Sequence, residues 1–224
     1  MSTRTVEVRR GILAKNDEAA EGFRTARTAE GTLFVDVMAS PGAGKTTLLL
    51  ALMEKLRERG ARDLGVIEAD LESDVDARKI AASGAASVEL NTRGVCHVEA
   101  GMVMRAFSVF GGRHFDYLFL ENIGNLVCPA EFDTGAQMRV MLLSVPEGWD
   151  KVVKYPPMFA VVDALIVTKS DYLPLNPDFD MEALRIRARI LNPDLDIFAT
   201  SARTGEGMDA LADWVVAKRR AILA

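Results

Sequence analysis

The stretch TLFVDVMASPGAGKTTLLLAL, from Thr32 to Leu52, constrains this chain more than any other. An apolar, β-branched run (Leu33 to Met38) is followed by Ala39-Ser40-Pro41-Gly42-Ala43-Gly44-Lys45-Thr46 and then by a leucine-rich run. That order reads as strand, phosphate-binding loop and helix. Gly42 and Gly44 let the backbone turn sharply and aim amide N–H groups inward at phosphate oxygens, with Ala43 between them and Thr47 just beyond. A helix starting near Lys45 adds the positive end of its dipole. Lys45 then reaches the β- and γ-phosphates, and the Thr46 hydroxyl is placed to bind Mg²⁺.

A single domain over residues 1–224 is expected, because 224 residues at 49% hydrophobic suffice for one substantial core. Residues 1–31 read as a lead-in with a polar helix around Asp17 to Ala29. The net charge of −5 argues against a nucleic-acid or anionic-membrane footprint. No apolar run is long enough to span a membrane, and the two cysteines are too few for a disulfide scaffold, so a cytoplasmic protein with reduced thiols is expected.

Further along, helix is expected over Thr46 to Arg59 with Gly60 as its cap, and strand over Leu64 to Ile67. Five carboxylates then fall within Glu68 to Asp76. They read as an acidic turn capping a Val75–Ser83 helix, with Asp70, just past a strand, placed to hold Mg²⁺ or orient the attacking water. Additional strands are expected at Ser87–Leu90, Tyr117–Leu120, Val140–Val145, Val161–Val167 and Asp196–Thr200, and helices at Val98–Phe110 and Gly207–Leu223. Such alternation gives an α/β fold, a mostly parallel sheet with helices on both faces.

Three further segments should reach the rim where the phosphate loop lies. Glu121 ends a buried strand, and Gly124 follows three residues later, the spacing of a switch that senses the γ-phosphate. In Thr168-Lys169-Ser170-Asp171 the Asp171 carboxylate can accept from guanine N1–H and the N2 amino group while the Lys169 stem covers the base. In Ser201-Ala202 a backbone N–H can meet guanine O6. Cys96, His97 and Cys128 are soft ligands that suit Zn²⁺ or Ni²⁺ rather than Mg²⁺; on residues alone, ordinary partly buried side chains are the favoured reading.

The ordered set ASPGAGKTT, EADLESDVDARKI, NTRGVCHVEA, ENIGNLVCPAEFD, PEGWDKVVKYPPMF, TKSD and SARTGEGM resembles the HypB family, the nickel-incorporation GTPases of hydrogenase maturation. The resemblance implies a P-loop NTPase of the dimerising SIMIBI type, binding GTP or GDP with Mg²⁺ and carrying Ni²⁺ or Zn²⁺. It implies a nucleotide-dependent homodimer that works with a nickel metallochaperone of the HypA type on the hydrogenase large subunit. Carried over by position, it assigns Lys45 and Thr46 to phosphate and Mg²⁺, Asp70 to Mg²⁺ or water, Lys169 and Asp171 to guanine, and Cys96, His97 and Cys128 to the transported metal. With Glu121 from the switch spacing, the catalytic candidates are Lys45, Asp70 and Glu121. This chain has Ala39, Ala69 and Thr168 where the family usually has glycine, glycine and asparagine; that asparagine ties the base-reading loop to the phosphate loop. Competing readings are a P-loop small-molecule kinase, and a metal- or cofactor-loading GTPase for urease or a cobalamin enzyme.

Overall fold

The residues LFVDVMA form strand β1 (Leu33–Ala39), and all seven are buried. A strand covered on both faces belongs in a parallel sheet between helical layers. That is where the computed structural model, which describes residues 8–70, 80, 82–92 and 94–224, places it. Six more strands complete the sheet: β2 (Leu64–Asp70), β3 (Ala86–Asn91), β4 (Tyr117–Gly124), β5 (Met138–Ser144), β6 (Ala164–Thr168) and β7 (Asp196–Ala199). They run in the order β3-β2-β4-β1-β5-β6-β7, with every pairing parallel.

Alternation along β1 feeds two layers. Val35, Val37 and Ala39 pack with Leu48, Leu49 and Leu52 of helix α2 (Lys45–Glu58) and with Leu211 and Val215 of helix α7 (Met208–Ile222). On the opposite face Phe34 meets Phe23 of α1 (Val8–Ala29) and Val103 of α3 (Ala100–Ser108). Met38, on that same face, joins a second cluster with Met158 and Phe159 of the short helix α5 (Pro156–Ala160) and Leu184 of α6 (Met181–Leu191). A further short helix, α4 (Lys151–Lys154), precedes α5. The expected mostly parallel sheet with helices on both faces is what forms.

Several boundaries differ from the sequence reading. Helix α1 begins at Val8 rather than near Asp17. The run from Val161 is split, because α5 continues to Ala160 and β6 starts only at Ala164. Glu68 lies inside β2 and is buried, in register with Glu121 of β4, so it is not part of an acidic turn. Residues Leu71 to Asp76, most of the expected Val75–Ser83 helix and Arg93 lie outside the described residues.

The edge formed by the strands' carboxyl ends is the part that matters for function. At a switch of strand order, loops diverge and leave a crevice there. Here β1 lies between β4 and β5, and its loop enters that crevice. The register between β1 and β4 also shifts, from Val37 opposite Glu121 to Ala39 opposite Gly124. Such bulges re-aim side chains next to sites.

Candidate functional site

The phosphate loop has the backbone its glycines imply. Gly42 and Gly44 have φ of +78° and +94°, and Lys169 is the only described non-glycine residue with positive φ. Ala39 therefore keeps an ordinary backbone, and its methyl is fully buried in the core. Gly44 caps α2, whose first turn carries no acidic residue and no side-chain cap. Its leading amides are left to an anion. Gly42, Gly44, Lys45, Thr46, Thr47, Glu121 and Lys169 line a cavity of about 320 Å³ at this point. Inside it the Thr46 hydroxyl donates to Glu121 Oε1 at 2.7 Å. Glu121 thus reaches the loop from within β4 rather than from its end, since the strand continues to Gly124.

A second cavity of about 220 Å³ shares Gly44, Thr47 and Lys169 with the first and is lined by Ala43, Thr168, Asp171, Tyr172, Ser201, Ala202 and Arg203. Two bonds tie its walls to the phosphate loop. Thr168 Oγ1 donates to the Ala43 carbonyl at 2.7 Å, and Lys169 Nζ donates to the Gly42 carbonyl at 2.9 Å. The threonine hydroxyl makes a link of the kind that the resemblance assigns to asparagine. Removing it in Thr168→Val leaves a buried carbonyl unpaired, and is expected to weaken GDP binding about fivefold, roughly 1 kcal/mol. Thr168→Ser should stay within about twofold of the parent, as read by competition with a fluorescent GDP analogue.

Asp171 is mostly enclosed, its side chain 17% exposed, with Arg203 Nη1 3.9 Å from its Oδ2. The Ser201 loop is locked by its own bonds: Ser201 N–H donates to the Glu206 carbonyl, and Thr204 N–H donates to Ser201 Oγ. Phosphate loop, Lys169, Asp171, Ser201 and Ala202 therefore converge as expected. Asp70 closes β2 at the same edge of the sheet. Tyr172 and Arg203 also line this second cavity and were not expected there.

The soft ligands behave differently from one another. Cys96 Sγ and Cys128 Sγ lie 3.1 Å apart, on the loop after β3 and the 3₁₀ turn after β4. The neighbouring Cys128 thiol, first of all, pushes the Cys96 thiol above its ordinary range. His97 is not gathered with them. Its ring stacks on Phe132 at 3.7 Å, and Nε2 sits 3.3 Å from Glu99 Oε1. Among the described residues no three His, Cys, Asp or Glu side chains form a metal-holding group. The structure brings two of the three expected ligands together.

The loop carrying Cys128 is anchored at its far end. Thr134 Oγ1 donates to Asp36 Oδ2 at 2.9 Å, and Asn122 Nδ2 donates to Oδ1 at 3.0 Å. Burial pushes the Asp36 carboxyl up to about 6, against the pull of these bonds and of Arg139. Because the folded value exceeds the unfolded one, this contribution to stability is full at acid pH and is lost as pH rises through about 6. Lowering pH from 7 to 5 should thus add about 1 kcal/mol, and Asp36→Asn should abolish the gain in denaturant unfolding. Asp133 and Asp116, both held low by their partners, lose their share only at more acid pH.

Comparison with known proteins gives this geometry a lineage. Residues 34–199 match the model of the CobW/HypB/UreG nucleotide-binding domain. The hydrogenase maturation factor HypB of Azotobacter chroococcum mcd 1 is 44% identical over 221 residues, covering 99% of this chain and 72% of that protein. The chain belongs to the HypB family. HypB from Helicobacter pylori, crystallised in complex with nickel, superposes with a TM-score of 0.86 at 34% identity, covering 92% of this chain and 95% of that one. HypB from Archaeoglobus fulgidus gives 0.83 at 32% identity, covering 95% of this chain and all of that one. The signal recognition particle receptor FtsY of Elizabethkingia anophelis, at 14% identity and a TM-score of 0.55, shares the fold. Among the described residues of this HypB chain, no helix is long and apolar enough to cross a membrane.

Proposed function

We propose that this HypB chain is a GTP-hydrolysing switch that takes up Ni²⁺, or Zn²⁺, on Cys96 and Cys128 and releases it during hydrogenase maturation. The observation that carries the proposal is the pair of thiols 3.1 Å apart on the segments that follow β3 and β4, with Glu121 of β4 bonded to the phosphate loop. One strand thereby serves both nucleotide and metal.

Each step follows from local chemistry. Asp171 and the Ser201-Ala202 backbone select guanine, while Lys169 covers the base and braces the phosphate loop. Loop amides and Lys45 spread the negative charge that builds on the β–γ bridge as the bond to the γ-phosphate breaks. The Thr46 hydroxyl and Glu121 carboxylate form an oxygen donor set that suits a hard cation, with Asp70 at the same edge. A Mg²⁺ ion held by these oxygens would supply positive charge against the phosphates. Asp70 or Glu121 orients the attacking water. Replacing γ-phosphate by water removes the anion that Lys45 and the Glu121 segment hold, so the segment carrying Cys128 relaxes.

Two thiolates leave a metal ion under-coordinated. In this reading a second copy of the chain supplies the missing ligands across a two-fold axis, and His97 turns in once freed from Glu99 and Phe132. Dimerisation is accordingly nucleotide-dependent, and the partners are a metallochaperone of the HypA type and the hydrogenase large subunit. Metal must displace the thiol protons, so uptake strengthens with pH. Cys96→Ala or Cys128→Ala is expected to weaken Ni²⁺ binding by about a hundredfold or more, on the order of 3 kcal/mol, in a titration that follows thiolate-to-nickel absorption. GDP affinity should be unchanged. Unaltered nickel binding in both variants would remove the metal half of the proposal.

The Helicobacter relatives at 34–35% identity are named hydrogenase/urease maturation factors, which supports a urease client as a second reading. Reconstituting each apo-enzyme with the nickel-loaded chain separates the two.

A further inference from the structure

Two adjacent residues at the end of β4 touch both halves of the site. A Cβ built on Gly124 would stand 2.8 Å from Pro41 Cγ and 2.9 Å from Pro41 N, so the strand backbone is seated directly against the phosphate loop. The next side chain turns the other way. Asn125 Nδ2 donates to the Cys96 carbonyl at 2.9 Å, and Asn125 Oδ1 accepts from Val127 N–H at 2.9 Å. One amide therefore holds the backbone of the first thiol residue and that of the residue before the second. Both polar ends of the amide are used, and the two thiols make a second contact between the same segments.

Resting on the nucleotide-and-metal reading above, we propose that Gly124-Asn125 is the joint between the two sites. Asn125 is the positioning residue that sets the spacing of Cys96 and Cys128, and Gly124 transmits displacement of the phosphate loop to it. The chain of contact is short: Pro41 to Gly124 through space, Gly124 to Asn125 through one peptide bond, and Asn125 to both thiol segments through hydrogen bonds. Pro41 fills the space a side chain at Gly124 would take, so a shift of Pro41 toward the strand on nucleotide exchange displaces Gly124 itself. It is passed to the amide, and the thiols move with it. Outer partners that orient metal ligands typically carry 10–100-fold in affinity.

The experiment is a Ni²⁺ titration of the full chain in GDP–Mg²⁺ and in a non-hydrolysable GTP analogue with Mg²⁺. Parent, Cys96→Ala, Asn125→Ala and Asn125→Ser are compared, with GDP affinity as the gauge of folding. Asn125→Ala is expected to weaken nickel binding about tenfold or more and to bring the ratio between the two nucleotide states close to one. Its thiolate-to-nickel absorption should change shape while GDP affinity stays within about twofold of the parent. Asn125→Ser keeps an acceptor for Val127 N–H but is too short for the Cys96 carbonyl, and should fall between. If Asn125→Ala also loses GDP, the serine variant decides by the same ordering. Nickel affinity and a nucleotide ratio that match the parent in a variant that still binds GDP would overturn the joint and leave the metal reading standing. Parent nickel binding that Cys96→Ala does not alter would overturn both.

Discussion

Asp171→Asn is expected to lower GTP affinity by about a hundredfold, close to 3 kcal/mol. The carboxylate lines the cavity proposed to hold the base, with 17% of its side chain exposed, where water is a poor substitute for the lost interactions. An ionised carboxylate accepts from both guanine N1–H and the N2 amino group, at roughly 1.5–3 kcal/mol per charge-assisted bond. The asparagine amide keeps one acceptor, loses the charge and points its NH₂ at another donor. Xanthine carries a carbonyl where guanine has that amino group, so the variant should recover affinity for xanthosine triphosphate. Competition binding with GTP, ATP and xanthosine triphosphate reads all three outcomes. Loss of affinity under threefold would mean that the base lies elsewhere. A P-loop kinase of small metabolites would need no such guanine reader.

Gly124→Ala should be the other severe change. The added methyl meets Pro41 ring atoms and its backbone nitrogen at 2.8–3.0 Å, and a backbone atom cannot swing aside as a flexible side-chain tip can. Overpacking of that kind costs ~1–3 kcal/mol and is relieved here by moving the phosphate loop. GDP affinity should fall about tenfold or more, and the strand core, anchored by Leu118, Phe119 and Leu120 at 0% exposure, should keep the protein folded. Calorimetric titration with GDP, alongside thermal unfolding, tests this. A variant with parental affinity would show the contact to be incidental.

The phosphate loop was legible because its signal is local: a seven-residue buried strand, two glycines needing positive φ, and a leucine-rich helix follow one another without a gap. Asp171, Lys169 and Ala202 were legible for the same reason, each lying just past a strand. Helix α6 was missed because its stripe is thin, with Leu184 and Ala188 buried while Ile186 and Ile190 face out. The reach of Glu121 into the phosphate loop depends on β4 pairing directly beside β1, which no single-strand pattern reveals. Asn16 is further still from sequence signals. Its Nδ2 donates to the Asp133 carbonyl and its Oδ1 accepts from Ala100 N–H, bonds that span 117 and 84 residues. Thr168 shows the converse, since a departure from the family residue still links its loop to the phosphate loop, through its hydroxyl on the Ala43 carbonyl. Of the three soft ligands, the family resemblance proposed the set, but only the fold separates the paired thiols from a histidine occupied with Phe132 and Glu99.

One strand touches the phosphate loop at Thr46 and Pro41 and leads to Cys128, so on the proposed metal site nucleotide and metal share a binding energy. By linkage, each must alter the affinity of the other by the same factor. The most direct measurement is the Ni²⁺ dissociation constant of the parent chain in GDP–Mg²⁺ and in a GTP analogue with Mg²⁺, with the dimer fraction followed in the same samples. The two constants are predicted to differ about tenfold or more, near 1.4 kcal/mol. Equal constants, with the same dimer fraction in both states, would contradict the account.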